Sequence, residues 1–587
     1  MALDPTNGSG DARQTGARPW DRSYPAALDW SDPVLREPLY CALDRAVADF
    51  GTSPCLDFLG RCYSYAEVGA LVARAAKGLQ DIGVGKGSRV ALLLPNTPYY
   101  VACYFAVMKL GGIVVNVNPL YAEEEVRDLI ADSGAEIAVT LDLKMLLPKL
   151  ATALDHTPLK KIVVGSMSDI LRFPKRQLFA IAKRGELARM PEDERYLSFA
   201  KLVENEGDFL PAEVGVDDVA VLQYTGGTTG LPKGAMLTHG SLSANVSQLH
   251  SWFLGAESGR ERVLAVLPLF HVFAMTVNLH LAVRIAAEII LLPRFEIETL
   301  LKTIARRRPT FFPGVPTLFN ALLHYPKLER YDLSCVENSI SGGASLPAPV
   351  REGFESLTGG KLLEGYGLTE ASPVATCNPA SGLRKGGSTG LPLPGTTIRI
   401  HSLEFPDQVL PLGEKGEICV QGPQVMAGYW QRPEETAETL RDGWLHTGDV
   451  GYMDEDGYVF LIDRLKEVII SGGYNVYPRH IEDAIHRHPA VAEVTVCAIP
   501  DEYRGEAPKA FVRLKDGESL AVDDLREFLQ DKLSPMEMPR QVEFRDDLPK
   551  TMIGKLSKKE LIAEERARHA TAAEPAAPPQ SGKLVQP

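Results

Sequence analysis

Residues 224–234 read Tyr-Thr-Gly-Gly-Thr-Thr-Gly-Leu-Pro-Lys-Gly, and the six positions from Thr225 to Gly230 hold only glycine or threonine. The run follows a short apolar piece, Val219 to Leu222, that reads as a strand. It precedes a segment that reads as a helix capped by Thr238, with Leu242 and Val246 on one face. Strand, glycine loop and helix in that order are the layout of a phosphate-binding α/β unit. Glycines let the backbone approach a ligand closely, while successive N–H groups and threonine hydroxyls donate to phosphate oxygens. Lys233 adds a mobile positive charge. A Walker loop needs glycine immediately before the lysine and Ser or Thr immediately after it. Pro232 and Gly234 stand there instead, so that reading fails.

On the N-terminal side, helix-period segments alternate with strand-like runs at Arg89 to Leu94, Gly112 to Val117 and Glu136 to Leu141, which predicts an α/β layout with parallel strands. On the C-terminal side, four apolar runs end in loops: Val263 to Phe270 before His271, Pro309 to Gly314, Ile340 before Ser341-Gly342-Gly343-Ala344, and Leu362-Leu363 before Glu364-Gly365-Tyr366-Gly367. Ligands of parallel sheets sit beyond the carboxyl ends of strands, so these endings predict one shared crevice. From about 390 to 463 short alternating runs with Gly and Pro turns predict a β-rich subdomain. Beyond Asp463-Arg464 a compact α+β unit is expected, with a helix at Arg479 to His486, strands at Val494 to Ile499 and Lys509 to Leu514, and a helix at Val522 to Leu533. The expectation is an α/β protein with a large N-terminal domain over 21–463 and a small mobile α+β C-terminal domain over 464–565. Tails at 1–20 and 566–587, rich in Gly, Ala, Pro, Ser and charge, read as disordered.

The chain has 587 residues, enough for several domains, with 45% hydrophobic and 24% charged residues, as in soluble proteins. No run of about 18 apolar residues escapes a polar break, which argues against a spanning helix. The start shows no export signal, and the eight scattered cysteines contain no C-x-x-C pair, so a structural zinc or disulfide framework is not expected and a cytoplasmic location is. The net charge of −14 disfavours nonspecific binding to nucleic acid. Residues 168–186 carry aromatic and aliphatic residues among five basic ones. Two readings stay open for them: peripheral contact with an anionic membrane, here the cytoplasmic face of the inner membrane, or a short helix with a solvated basic face.

Taken in order, the glycine/threonine loop, Gly365-Tyr366-Gly367-Leu368-Thr369-Glu370, Thr447-Gly448-Asp449, Asp463-Arg464-Leu465-Lys466-Glu467 and Gly554-Lys555 resemble the motifs of adenylate-forming (AMP-binding) enzymes, over about 25 to 565. Within that superfamily Gln223 to Thr229, Leu318 to Leu323, Gly422-Pro423-Gln424-Val425-Met426 and Asn475-Val476-Tyr477-Pro478 look like bacterial long-chain fatty acid–CoA ligases. The resemblance implies that a fatty acid carboxylate attacks the α-phosphorus of ATP to give acyl-AMP and pyrophosphate, after which the thiol of coenzyme A displaces AMP, with Mg2+ as cofactor.

It also implies roles for residues. Thr225, Gly226, Gly227, Thr228, Thr229, Gly230 and Lys233 would hold phosphates, with Thr369 nearby and Glu370 on Mg2+. Tyr366 would stack on adenine in a slot of Gly343, Ala344 and Gly365, with Gly367 also at the nucleotide, while Asp449 takes the ribose hydroxyls beside Arg464. Lys555 would reach the carboxylate and the α-phosphate. Lys466 would be the hinge about which the small domain turns, exchanging Lys555 for a coenzyme A loop at Ser471, Gly472, Gly473 and Tyr474. His271, Phe273, Asn278, Gly314, Val315 and Thr317 would line the acyl pocket. Ser534-Pro535-Met536-Glu537-Met538-Pro539 lacks the lysine usual before this proline, which puts an auxiliary phosphate or coenzyme A contact there in doubt. Medium-chain or aryl acid–CoA ligases, acyl-AMP ligases that load a carrier protein, and a noncatalytic acyl-nucleotide-binding protein are the alternatives, and a homodimer is left open.

Overall fold

The computed structural model describes residues 18–572 apart from 226–231, 254, 472–473, 502–503 and 552–555. Two large sheets form the body of the N-terminal region. The first has seven strands in the order Tyr196–Ser198, Lys161–Gly165, Ile137–Leu141, Arg89–Leu92, Ile113–Asn116, Val219–Thr225 and Lys233–Thr238, all parallel except the last. The second has nine, with Lys361–Gly367, Asn338–Ser341, Phe311–Gly314, Arg262–Ala265, Glu288–Leu291 and Pro54–Phe58 running parallel through its centre. These runs are rich in Val, Ile and Leu and buried on both faces, as the strands of covered parallel sheets are.

Helix Pro98–Lys109 shows how sequence directs this packing. Thr97 caps it by accepting from Tyr100 N, Pro98 suits the first turn, and every residue from Pro98 to Met108 is buried. A helix apolar on all sides belongs in the interior. One continuous hydrophobic core accordingly joins both large sheets, and the small domain has separate clusters around Ile481, Val496, Phe511 and Leu525.

Polar side chains fasten the two large sheets to each other near their carboxyl ends. Asn96 Nδ2 donates to Ala265 O and Leu267 O, and Asn96 Oδ1 accepts from Leu269 N at 2.7 Å. Asn116 Nδ2 donates to Gln223 Oε1, and Gln223 Nε2 donates to Phe270 O at 3.0 Å. This network corrects the strand expected from Val263 to Phe270: the strand stops at Ala265, because the Asn96 side chain supplies hydrogen bonds that a neighbouring strand otherwise would.

A five-stranded antiparallel sheet, built from Thr397–His401, Gly416–Gln421, Leu440–Arg441, Trp444–Met453 and Val459–Arg464, forms the β-rich part. The small domain packs helices Pro478–His486 and Val522–Leu529 with a second five-stranded sheet. Two expected tails prove partly ordered. Trp20 is buried with Arg18 over the Trp30 ring, and the final helix, Lys558–Ala572, passes the boundary drawn at 565 because Glu565 pairs with buried Lys509 at 2.9 Å.

Candidate active site

The opening stretch is a hairpin. Val219–Thr225 runs antiparallel to Lys233–Thr238, with Tyr224 opposite Gly234 and Thr225 opposite Lys233. The expected passage from loop directly to helix is thus corrected: a strand intervenes, and helix His239–Trp252 follows it, with Thr238 Oγ1 accepting from Ser241 N as expected of the cap. Thr225 Oγ1 donates to Lys233 O across the hairpin base. Gly226, Gly227, Thr228, Thr229 and Gly230 lie outside the described residues.

The hairpin is braced by residues remote in sequence. Tyr224 O–H donates to Asp132 Oδ2 at 2.7 Å, Arg432 bridges to Asp132 Oδ1 at 2.7 Å, and Trp430 Nε1 donates to Asp132 O. Residues 427–430 add a third segment beside the hairpin, through Met236 N to Gly428 O and Trp430 N to Gly234 O. Tyr429 from this segment meets two expected site residues at once. Its hydroxyl donates to Glu370 Oε1 at 2.7 Å, and Lys233 Nζ lies 5.2 Å from the centre of its ring. Burial and the Glu370 carboxylate push the phenol far above its ordinary pKa, so it stays a neutral donor. The structure therefore brings Thr225, Lys233 and Glu370 to one locus through Tyr429, a residue the sequence reading missed.

Glu370 and Thr369 sit in a short turn after strand Lys361–Gly367, held by Met426 N donating to Glu370 O. Gly367 ends that strand where a Cβ would stand 1.9 Å from Pro373 O, so only glycine fits. Tyr366, one residue earlier, is 6% exposed, and its hydroxyl donates to Asp449 Oδ2 at 2.8 Å. Arg464 Nε stands 3.3 Å from the other oxygen of Asp449. Asp449 lies at a bulge inside strand Trp444–Met453, fixed by Thr447 Oγ1 donating to Ile418 O and by Gly448 at φ +68°. Gly365 packs on Ile340, and Gly343, at φ +84°, and Ala344 are exposed on the loop after Asn338–Ser341.

On the expected acyl side, Gly342 N donates to Gly314 O, and the Phe273 ring lies against Gly342. The Phe319 ring closes on Gly314, and Val315 is buried at the start of helix Pro316–Leu323. His271 caps its own helix, its Nδ1 accepting from Phe273 N at 3.3 Å. Asn278 is fully buried, its Nδ2 donating to Leu264 O at 2.9 Å.

In the small domain, Ser471 is buried opposite exposed Tyr474 in a strand pair. Gly472, Gly473 and Lys555 lie outside the described residues. Lys466 is exposed on the turn Leu465–Glu467. Of the other lysines near 555, Lys558 pairs with Glu467 and Glu482, and Lys550 pairs with Glu493. Asp463 accepts from the backbone N–H groups of Arg464 and Arg479, and its burial raises the carboxyl to about 6.

The chain matches known proteins over most of its length. The AMP-binding enzyme family matches residues 43–430, and the AMP-binding enzyme C-terminal domain matches 480–555. A long-chain-fatty-acid–CoA ligase of Bacillus subtilis is 42% identical over 94% of this chain and 99% of its own length. Among solved structures, an anthranilate CoA ligase in complex with anthranoyl-AMP superposes with a TM-score of 0.82 at 26% identity, covering 92% of this chain and all of its own. ATP-bound MatB from Rhodopseudomonas palustris does so with a TM-score of 0.79 at 30% identity, covering 90% and 99%. The chain belongs to the AMP-binding, adenylate-forming enzyme family.

Proposed function

We propose that this enzyme is a long-chain fatty acid–CoA ligase, converting fatty acid, ATP and coenzyme A to acyl-CoA, AMP and pyrophosphate through an acyl-AMP intermediate. The observation that carries the reading is the match to the Bacillus subtilis ligase over nearly the whole of both chains. The site chemistry supports it. Attack on the α-phosphorus gathers negative charge on phosphate oxygens, and groups preorganised around that charge lower the barrier. Lys233 and the hairpin loop hold the leaving pyrophosphate. Asp449 accepts from the ribose hydroxyls and Arg464 flanks them. Tyr366 backs the adenine slot of Gly343, Ala344 and Gly365.

The residues fit Mg2+, since Glu370 presents a hard carboxylate donor oriented by Tyr429 and facing the Lys233 side of the site. When bound, the ion supplies charge neutralisation at the phosphates. Lys555 brings the carboxylate and α-phosphate together. Gly554-Lys555 after Leu548-Pro549-Lys550 selects Lys555 from the basic run, in which Lys550 and Lys558 pair with carboxylates. Rotation at Lys466 then presents Ser471 to Tyr474 to coenzyme A. Phe273, Gly314 and Val315, with His271 at the entrance, form the acyl pocket.

The second face of the proposal is the membrane, where long acyl chains partition. Phe173, Leu178 and Ile181 are 75%, 61% and 78% exposed around helix Lys175–Ala182, next to Lys175, Arg176, Lys183 and Arg184. Among the described residues no helix is long and apolar enough to cross a membrane. Peripheral docking predicts flotation with anionic vesicles that falls when the four basic residues are neutralised; unchanged flotation rejects it. The substrate class is tested by acyl-CoA formation across octanoate, palmitate and anthranilate. Palmitate dominates if the reading holds, and anthranilate dominates if the aryl alternative does.

A further inference from the structure

The β-rich sheet holds a cluster that the ligase chemistry does not use. His401 on Thr397–His401, Cys419 on Gly416–Gln421 and His446 on Trp444–Met453 offer ligand atoms that all lie within 4.8 Å of one another. His401 is 7% exposed, its Nδ1 lies 2.7 Å from Pro406 O, and its Nε2 is buried without a hydrogen-bond partner. A carbonyl at Nδ1 fixes the tautomer with the lone pair on Nε2, the state in which metal-binding imidazoles are held by their outer partners. His446 Nδ1 is crowded by three groups: Glu417 Oε2 at 2.8 Å, Cys419 Sγ at 3.3 Å and Arg441 Nη2 at 2.6 Å. One ring nitrogen carries either a proton or a lone pair, so it cannot serve a carboxylate and a guanidinium together.

We propose that, against the expectation from cysteine spacing, His401 Nε2, Cys419 Sγ and His446 Nδ1, with Glu417 beside them, form a structural Zn2+ site assembled from three strands. A divalent ion resolves the crowding, because lone pair, thiolate and carboxylate then all point at one positive centre. Two imidazoles and a thiolate are the donors zinc favours in structural sites. The thiol proton leaves to solvent on binding, and thiolate plus carboxylate balance the ion's charge. Arg441, with 37% of its side chain exposed, turns toward water. The other acid–thiol cluster, Asp57, Cys62 and Glu288, differs in offering no imidazole, and Arg307 pairs with both of its carboxylates. The site adjoins the bulge that carries Asp449, since Glu417 Oε1 accepts from Gly448 N at 2.9 Å and Gly448 precedes Asp449. It anchors that bulge.

The test uses full-length protein stripped with a chelator and titrated with Co2+, whose bands report thiolate ligation directly. The expected result is a thiolate-to-cobalt charge-transfer band saturating at one equivalent, displaced by Zn2+ and accompanied by a higher thermal midpoint with either ion. Cys419→Ser and His401→Gln abolish the band or weaken affinity by at least about tenfold, whereas Cys497→Ser retains it. Absence of the band in the wild-type protein overturns the proposal even if the variants fold poorly. A band that survives Cys419→Ser does so as well.

Discussion

Asp449 and Arg464 stand opposite each other in one antiparallel ladder, and the carboxylate between them and Tyr366 is claimed from both sides, by Arg464 Nε at 3.3 Å and the Tyr366 hydroxyl at 2.8 Å. Three motifs far apart in sequence thereby share one anion. Asp449→Asn removes the charge while keeping the shape. The expected outcome is a rise of about tenfold or more in the KM for ATP, with the KM for fatty acid at saturating ATP unchanged. Steady-state pyrophosphate release measures both, and an unchanged ATP dependence contradicts the assignment.

Tyr429→Phe deletes the donor to Glu370 without changing the ring that Lys233 faces. Hydrogen bonds to charged groups are worth about 1.5–3 kcal/mol, so kcat/KM for ATP should fall about tenfold or more. The Mg2+ concentration for half-maximal rate should rise. A structural role alone would leave the Mg2+ dependence where it was.

Much of this was legible beforehand, and the exceptions share a cause. The Thr238 cap, the parallel strands at Arg89, Ile113 and Ile137, and the β-rich region before Arg464 all come from local patterns of capping and periodicity. Lys233–Thr238 was missed as a strand because Lys-Gly-Ala-Met-Leu-Thr has weak strand character. It is held there by pairing with Val219–Thr225 on one side and residues 427–430 on the other. Tyr429, Asp132 and Arg432 carry no local signal, since each matters only through partners tens to hundreds of residues away.

Gly367→Ala should destabilise the large domain. The added methyl would meet Pro373 O at 1.9 Å, and relieving that overlap shifts the ladder with Val374–Cys377. The cost is about 2 kcal/mol or more, read as a lower thermal midpoint. A wild-type midpoint would show that the strand end yields freely.

Glu364 predicts a pH dependence. Burial raises its carboxyl to about 7, while Arg479 and Asp483 of the small domain, Arg351 and the Leu346 N–H also act on it. A raised carboxyl pKa means that the folded state binds the proton more tightly than the unfolded one. Its contribution to stability is full below about 4.5 and is lost as pH rises through about 7. Glu364→Gln should therefore match the wild type at pH about 4 and melt higher than it at pH about 8. A constant offset across that range contradicts the account.

AMP-forming ligation of a long-chain acid to coenzyme A is checked by the product stoichiometry with palmitate. With ATP, Mg2+, palmitate and coenzyme A, the expected products are palmitoyl-CoA, AMP and pyrophosphate in equal amounts. With coenzyme A omitted, enzyme-bound palmitoyl-AMP and a single turnover of pyrophosphate are expected. Formation of ADP and phosphate, or AMP release with no palmitoyl-CoA, would contradict it.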